Sequence, residues 1–194
     1  PRHPLPRGVH RIIQAEQVHG SSIAVVQQVR EDTLPVAGCD ALLTSVPGVE
    51  LVIRTADCLP IFLCDPRRRV VGIAHTGWRG LTAGLPLRLV AAFRHLYHSV
   101  PSALRAAIGP AIRSCCYEVG PEFEARFGSF VQVRDGRRTC DLIGAAIEQL
   151  RRAGILPSRI VDSGQCTCCS SSSWYSIRRD GQDTGRLLSF IAIR

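Results

Sequence analysis

LVIRTADCLPIFLCDPRRRVVGIAHTGWRG, residues 51–80, holds the pattern that decides the fold. Two short apolar runs rich in β-formers, 51–53 and 61–64, flank a polar interruption, Arg54-Thr55-Ala56-Asp57-Cys58, which Pro60 closes. A charged turn, Asp65-Pro66-Arg67-Arg68-Arg69, leads to a third apolar run at 70–74, and that run enters the loop His75-Thr76-Gly77-Trp78-Arg79-Gly80. Fully apolar strands belong to sheets covered on both faces. The stretch therefore predicts buried strands of an α/β or α+β domain, with chemistry on the loops at their ends, where such a scaffold presents side chains to a ligand.

His75 follows Cys58 by 17 residues, and a hairpin between the apolar runs returns the chain so that the two can meet. His19, in Gln17-Val18-His19-Gly20 ahead of another apolar run at 23–26, is a third candidate. Two imidazoles and one thiolate make a zinc set with a fourth position open, the pattern of a catalytic rather than a structural site. Spacing alone leaves alternatives. Isolated histidines and cysteines also serve as packing residues, and Cys58 with His75 as base would make a nucleophilic pair.

Working outward, the series QVHG (17–20), DALLT (40–44), TADCLP (55–60), AHTGWRG (74–80), AIGPAI (107–112), CCYEVG (115–120) and RRDGQDTGR (178–186) resembles the YfiH/laccase-domain family. Its members carry the older name polyphenol oxidase and the newer name purine nucleoside phosphorylase. The resemblance implies a four-layer α/β/β/α arrangement with mixed sheets, in a single domain over 1–194. It also implies one zinc ion on His19, Cys58 and His75, and cleavage of adenosine, inosine or methylthioadenosine by phosphate, with deamination of adenosine besides. Family members carry an arginine- and glycine-containing stretch ahead of QVHG. Only 16 residues precede it here, so that stretch is expected to be missing or shortened.

Around the triad, Asp57 is expected to hydrogen-bond a ligating imidazole. Arg79 and Arg54 are the natural anion-binding groups, since a guanidinium fork matches phosphate; salt bridges to Asp57 or Asp40 are the structural alternative. Asp40 matches a family position near the pocket, and a turn-capping carboxylate is its other reading. Cys116 and Tyr117, with Glu118 beside them, are further pocket candidates. The expected partners are purine nucleosides and phosphate. Copper is the alternative metal, but laccase coppers need many histidines, often as HxH pairs, and the six here include no HxH. A module that uses zinc only to hold its loops is the non-catalytic rival.

With 194 residues and 45% hydrophobic content, the chain can bury a core of ordinary size. No run approaches the roughly 20 apolar residues of a membrane span, and no signal-peptide pattern is visible. The net charge is +8 and all 24 basic residues are arginine, but they are scattered with little aromatic interleaving. That reads as a solvated surface rather than a nucleic-acid face. Nine cysteines in a chain this well supplied with apolar residues point to a reduced, cytoplasmic setting rather than a disulfide framework. Cys166-Thr167-Cys168-Cys169 resembles half of a zinc ribbon, but no second CxxC exists to complete it.

Taken in order, residues 1–8 read as an irregular lead-in and 9–17 as a strand or a helix end. Strands are expected at 23–29, 39–44, 104–108 and 159–161, and 187–193 reads as a terminal apolar segment. Apolar spacing after Gly80 predicts a helix whose regular part starts at Pro86, tolerable only in a first turn. His95 and His98 fall late in it, as surface residues. A short helix is expected from 121 to about 127. Another spans 142–153, with Asp141 as N-cap and Gly154 as its stop.

Overall fold

The computed structural model describes residues 11–27, 35–170 and 173–194. The expected lead-in over 1–8, the end of the strand expected over 23–29 and part of the serine run 170–173 lie outside these residues. In chain order the elements begin with β1 (Arg11–Gln14), β2 (Ile23–Val26), β3 (Ala41–Thr44), β4 (Val49–Thr55), β5 (Leu59–Asp65) and β6 (Val70–Thr76). Then come α1 (Trp78–Thr82), α2 (Leu85–Tyr97), β7 (Arg105–Ile108), α3 (Glu122–Phe127), β8 (Val131–Arg134) and β9 (Arg137–Cys140). α4 (Leu142–Arg152), β10 (Ile160–Asp162), α5 (Ile177–Asp180) and β11 (Leu187–Ala192) complete the series.

Six strands form a mixed sheet in the order β10-β7-β5-β6-β3-β2, and β1-β4-β11 form a second mixed sheet. At the centre of the large sheet β5 and β6 pair antiparallel with Pro60 opposite His75, the hairpin anticipated for 59–76. The continuous apolar runs are explained by what covers each face. Ala41, Leu43, Ile61, Leu63 and Ala74 pack toward Leu85, Leu89 and Phe93 of α2 and Ala146 and Leu150 of α4. Their neighbours Leu42 and Ile73 face the other way, onto Ile13, Leu51 and Ile53 of the smaller sheet. Successive strand residues point to opposite faces, so a strand buried on both sides has no polar alternation to show. Each fully buried Leu or Ile contributes about 1.5–3 kcal/mol relative to exposure.

The expected α+β class with mixed sheets is the observed one. Helices, six-stranded sheet and three-stranded sheet follow as layers. The outer face of the three-stranded sheet, where the resemblance implies a further layer, exposes Ile12, Leu188 and Phe190. Among the described residues, no helix is long and apolar enough to cross a membrane.

Pro86 lies in the first turn of α2 and Asp141 caps α4 by accepting from the Gly144 N–H at 2.9 Å, both as the sequence predicts. Two local readings need correction. HTGWRG is not a loop: β6 runs on through His75 and Thr76, and α1 starts at Trp78 immediately after Gly77. The β8–β9 hairpin was not anticipated, although Asp135-Gly136, both with positive φ, is the usual two-residue hairpin signal.

Gly72 in β6 sits where a Cβ would lie 2.9 Å from Cε2 of Phe93, which is fully buried, and 3.3 Å from the Leu42 carbonyl. Leu43 Cδ1 would also lie 3.3 Å away, and Leu43 and Phe93 are both fully buried, so neither can give way without disturbing the core. Gly72→Ala is therefore expected to destabilise the fold by about 1–3 kcal/mol through overpacking, read as a lower urea midpoint at unchanged slope. An unchanged midpoint would mean that α2 does not rest on this strand as described.

Candidate functional site

Three segments from both sheets bring the candidate ligands together. His19 lies on the turn between β1 and β2, Cys58 on the turn between β4 and β5, and His75 at the end of β6. One ligand atom from each lies within 4.8 Å of the other two, and the imidazoles stand edge to face with centroids 4.8 Å apart. Three non-glycine residues here hold left-handed backbone: Gln17 (φ 67°), His19 (φ 60°) and Asp57 (φ 87°). Such conformations cost about 1–3 kcal/mol each and persist where the surroundings impose them. Gln17 shows how: its side-chain amide donates to the Arg54 carbonyl at 2.6 Å and accepts from the Arg54 N–H at 2.7 Å. Gly77 is explained by close approach, since a Cβ there would lie 3.1 Å from the Cys58 sulfur.

Asp40 holds the two imidazoles in place. Its Oδ1 lies 2.9 Å from Nδ1 of His75 and accepts the His19 backbone N–H at 2.9 Å, while Oδ2 accepts from the Gly20 N–H at 2.6 Å. Burial opposes the charge on Asp40, but these bonds and the imidazole outweigh it and hold the carboxyl below its ordinary value. Its acceptance fixes the proton of His75 on Nδ1 and leaves Nε2 for the sulfur. Burial likewise works against charge on Cys58, but His19 and His75 overcome it and bring the thiol down to about 7. His75 is pushed up to about 9, because Asp40 and Cys58 outweigh its desolvation. A thiol poised to ionise beside an imidazole ordered by a carboxylate is what a soft metal ion requires of its ligands.

The remaining expected residues are placed as follows. Asp40 is fully buried behind the imidazoles, so the substrate contact expected of it is replaced by an orienting role. Asp57 bonds no ligating imidazole. Its Oδ1 accepts from the Thr167 hydroxyl at 2.6 Å and its Oδ2 from the Arg178 N–H at 2.7 Å, so it ties the C-terminal loops to the Cys58 turn. The imidazole partner expected at 57 is at 40. Neither carboxylate forms an ion pair with Arg54 or Arg79 among the described residues. Cys116 stands apart, with its Sγ 3.0 Å from that of Cys169.

Two clefts meet at the triad. One, of about 560 Å³, is lined by Arg54, Glu16, Gln17, Gln182, Thr184 and Arg186 together with the three ligands. The other, of about 360 Å³, shares His19 and Cys58 and is walled by Trp78, Arg79, Ile112, Tyr117 and Arg178. Arg79 lies 4.5 Å from the Trp78 ring centroid, and Arg178 lies 5.1 Å from that of Tyr117. Arg186 donates to the backbone carbonyls of Gln182, Thr184 and Gly185, and among the described residues it forms no ion pair with an acid. Arg178, Gln182, Thr184 and Arg186 were not singled out from sequence, although their block, RRDGQDTGR, is dense in ligand-binding residue types. A larger hollow of about 690 Å³ along β7 is lined by Phe62, Cys64 and Arg105, and among the described residues no converging ligand set lies in it.

The family described as multi-copper polyphenol oxidoreductase laccase matches residues 5–194. Purine nucleoside phosphorylase YlmD of Geobacillus stearothermophilus is 35% identical over 96% of this chain and 73% of its own length. Adenosine deaminase RL5, from an unknown prokaryotic organism, is 31% identical over 93% of this chain and 74% of its own length. The crystal structure of Bacillus licheniformis hypothetical protein YfiH aligns with a TM-score of 0.85 at 32% identity, covering 94% of this chain and 74% of that one.

Because Asp40 bonds the ring of His75 and the backbone of His19 without being one of the three candidate ligands, Asp40→Asn is expected to keep the fold and to weaken metal retention by about 10–100-fold. Competition with a chromophoric chelator measures this. Retention equal to that of the unaltered protein would deny Asp40 its role.

Proposed function

The chain belongs to the multi-copper polyphenol oxidoreductase laccase family, and we propose that it is a zinc-dependent purine nucleoside phosphorylase that also deaminates adenosine. The observation that carries this reading is the position of the triad at the junction of two clefts of unlike chemistry, one rich in guanidinium and amide groups and one aromatic. The names of the relatives, purine nucleoside phosphorylase and adenosine deaminase, support it.

Zinc suits the donor set. Two imidazoles and a thiolate are borderline-soft ligands, three in number, with room for a guest in the fourth position. Copper clusters of the laccase kind need more imidazoles. Among the described residues only His19 and His75 converge, and His95 and His98 lie exposed at the end of α2. Zinc held by His19, Cys58 and His75 supplies Lewis acidity beside the guest.

The chain's own groups account for the rest. Arg54 and Arg186 offer planar forks to a phosphate in the wider cleft. Trp78 and Tyr117 line the narrower one and offer aromatic surface to a purine there, beside the Arg79 and Arg178 guanidiniums that lie over their rings. Burial, and then the nearby Cys58 charge, push the Tyr117 phenol up to about 12. It therefore keeps its proton at neutral pH and can donate to a purine nitrogen. In phosphorolysis a phosphate oxygen bonds to the sugar C1′ as the bond from C1′ to the base breaks, and the electron pair leaves with the purine. A proton donor on the base side assists that departure. Arg79 and Arg178 line the base side, and Asp57 acts through Thr167 and Arg178 as a positioning residue. Deamination uses the same centre with water as the incoming group and ammonia as the leaving one.

Zinc-loaded protein incubated with inosine and phosphate is expected to yield hypoxanthine and ribose 1-phosphate. With adenosine and no phosphate it should yield inosine. Absence of any purine product from either incubation would overturn the proposal. Cys58→Ala is expected to abolish both turnovers along with the zinc held at the triad. A turning-over variant without that zinc would contradict the role given to the thiolate.

A further inference from the structure

β7 and β10 pair in parallel at one edge of the large sheet, with Ile108 opposite Asp162, so the loops that follow them leave side by side. They stay joined. Ala111 donates to the Gln165 carbonyl at 3.3 Å, Thr167 donates to the Ala111 carbonyl at 3.1 Å, and Arg113 grips Asp162 through two bonds of 3.0 and 2.8 Å. The pairing carries Cys115 and Cys116 of the first loop onto Cys166 and Cys169 of the second. All four sulfurs lie within 4.8 Å of one another, with Cys169 3.0 Å from Cys116 and 3.4 Å from Cys115.

We propose that Cys115, Cys116, Cys166 and Cys169 form a second metal site, a closed tetrathiolate that holds one structural zinc ion. The site is separate from the triad and does not depend on the activity proposed for it. Four sulfurs at about 2.3 Å from a tetrahedral zinc stand about 3.8 Å apart, which lies between the shortest separation here, 3.0 Å, and the 4.8 Å within which all four sulfurs fall. So tight a spacing suits one ion rather than a multi-iron cluster. The Cys166–Cys169 segment turns back on itself, with Ser170 donating to the Cys166 carbonyl at 3.1 Å. Four thiolates around a divalent ion carry net negative charge, which nearby donors offset. Arg178 donates to the Cys116 carbonyl and Arg179 to the carbonyls of Thr167 and Cys168, adding positive charge around the loops. Disulfides fit less well, because Cys115 and Cys116 both approach the same sulfur of Cys169.

The position of the site gives it a purpose. Tyr117, the next residue after Cys116, walls the narrower cleft. Thr167, the next residue after Cys166, holds Asp57 beside the ligand Cys58. Zinc in the cysteine cage thus pins the two loops that carry one wall of the cleft.

Metal analysis of native protein prepared with zinc is expected to find two zinc ions per chain, falling to one in Cys169→Ser and to one in Cys58→Ala. In Cys58→Ala the remaining ion, exchanged for cobalt, should show the strong thiolate charge-transfer absorption of a tetrahedral tetrathiolate. In the zinc-loaded unaltered protein, Cys115, Cys116, Cys166 and Cys169 should resist alkylation until a chelator is added. The cobalt and alkylation readouts do not require Cys169→Ser to fold. A metal-free Cys58→Ala, disulfides among the four cysteines, or their free alkylation in zinc-loaded protein would each overturn the proposal.

Discussion

The site rests on one buried carboxylate. Asp40 enters the structure at the start of β3, accepts two backbone N–H groups from the His19 turn and accepts a hydrogen bond from Nδ1 of His75. It is fully buried, so among the described residues these donors rather than solvent compensate its charge. A buried carboxylate left without such donors carries a heavy desolvation penalty. The same bonds that make its charge tolerable fix the ring of His75 and the backbone turn that carries His19. The left-handed backbone of His19 follows from this, because that conformation aims two successive N–H groups at one carboxylate.

The sheets supply the convergence. β3 and β6 are antiparallel neighbours with Ala41 opposite Ala74, which places Asp40 beside His75 across the ladder. β5 returns beside β6, so Cys58 at its start arrives next to His75 at the end of its partner. His19 is delivered by the turn that leaves the smaller sheet for the larger one. The candidate ligand atoms therefore sit at the ends of strands whose interiors are packed on both faces, a rigid base for side chains that must hold their geometry. The walls of the clefts come from later loops. They are tied back by single contacts such as Asp57 with Thr167 and Arg178.

Much of this was legible in the sequence because it is local. The three apolar runs in 51–74, the proline at the start of α2 and the Asp141 cap of α4 each carry their own signal. The histidines and the cysteine were found through short motifs, and the structure gathers them. What remained hidden is long-range. Asp57 and Asp40 both flank motif residues, and only the β3–β6 pairing shows that residue 40, not residue 57, faces the imidazole. Arg186 and Arg178 lie more than a hundred residues from the ligands they stand beside, and nothing in their spacing marks a cleft wall. The cysteine cluster has no local signature, because Cys166 and Cys169 meet not a second CxxC but the adjacent pair Cys115-Cys116, brought near by two parallel edge strands.

The central claim is that His19, Cys58 and His75 share one zinc ion under the control of Asp40. Crystals grown with zinc and measured on both sides of its absorption edge test it directly. The account predicts an anomalous peak about 2.0–2.1 Å from a nitrogen of each imidazole and about 2.3 Å from the Cys58 sulfur, with Asp40 still bonded to Nδ1 of His75. A map with no peak at these three side chains would contradict it.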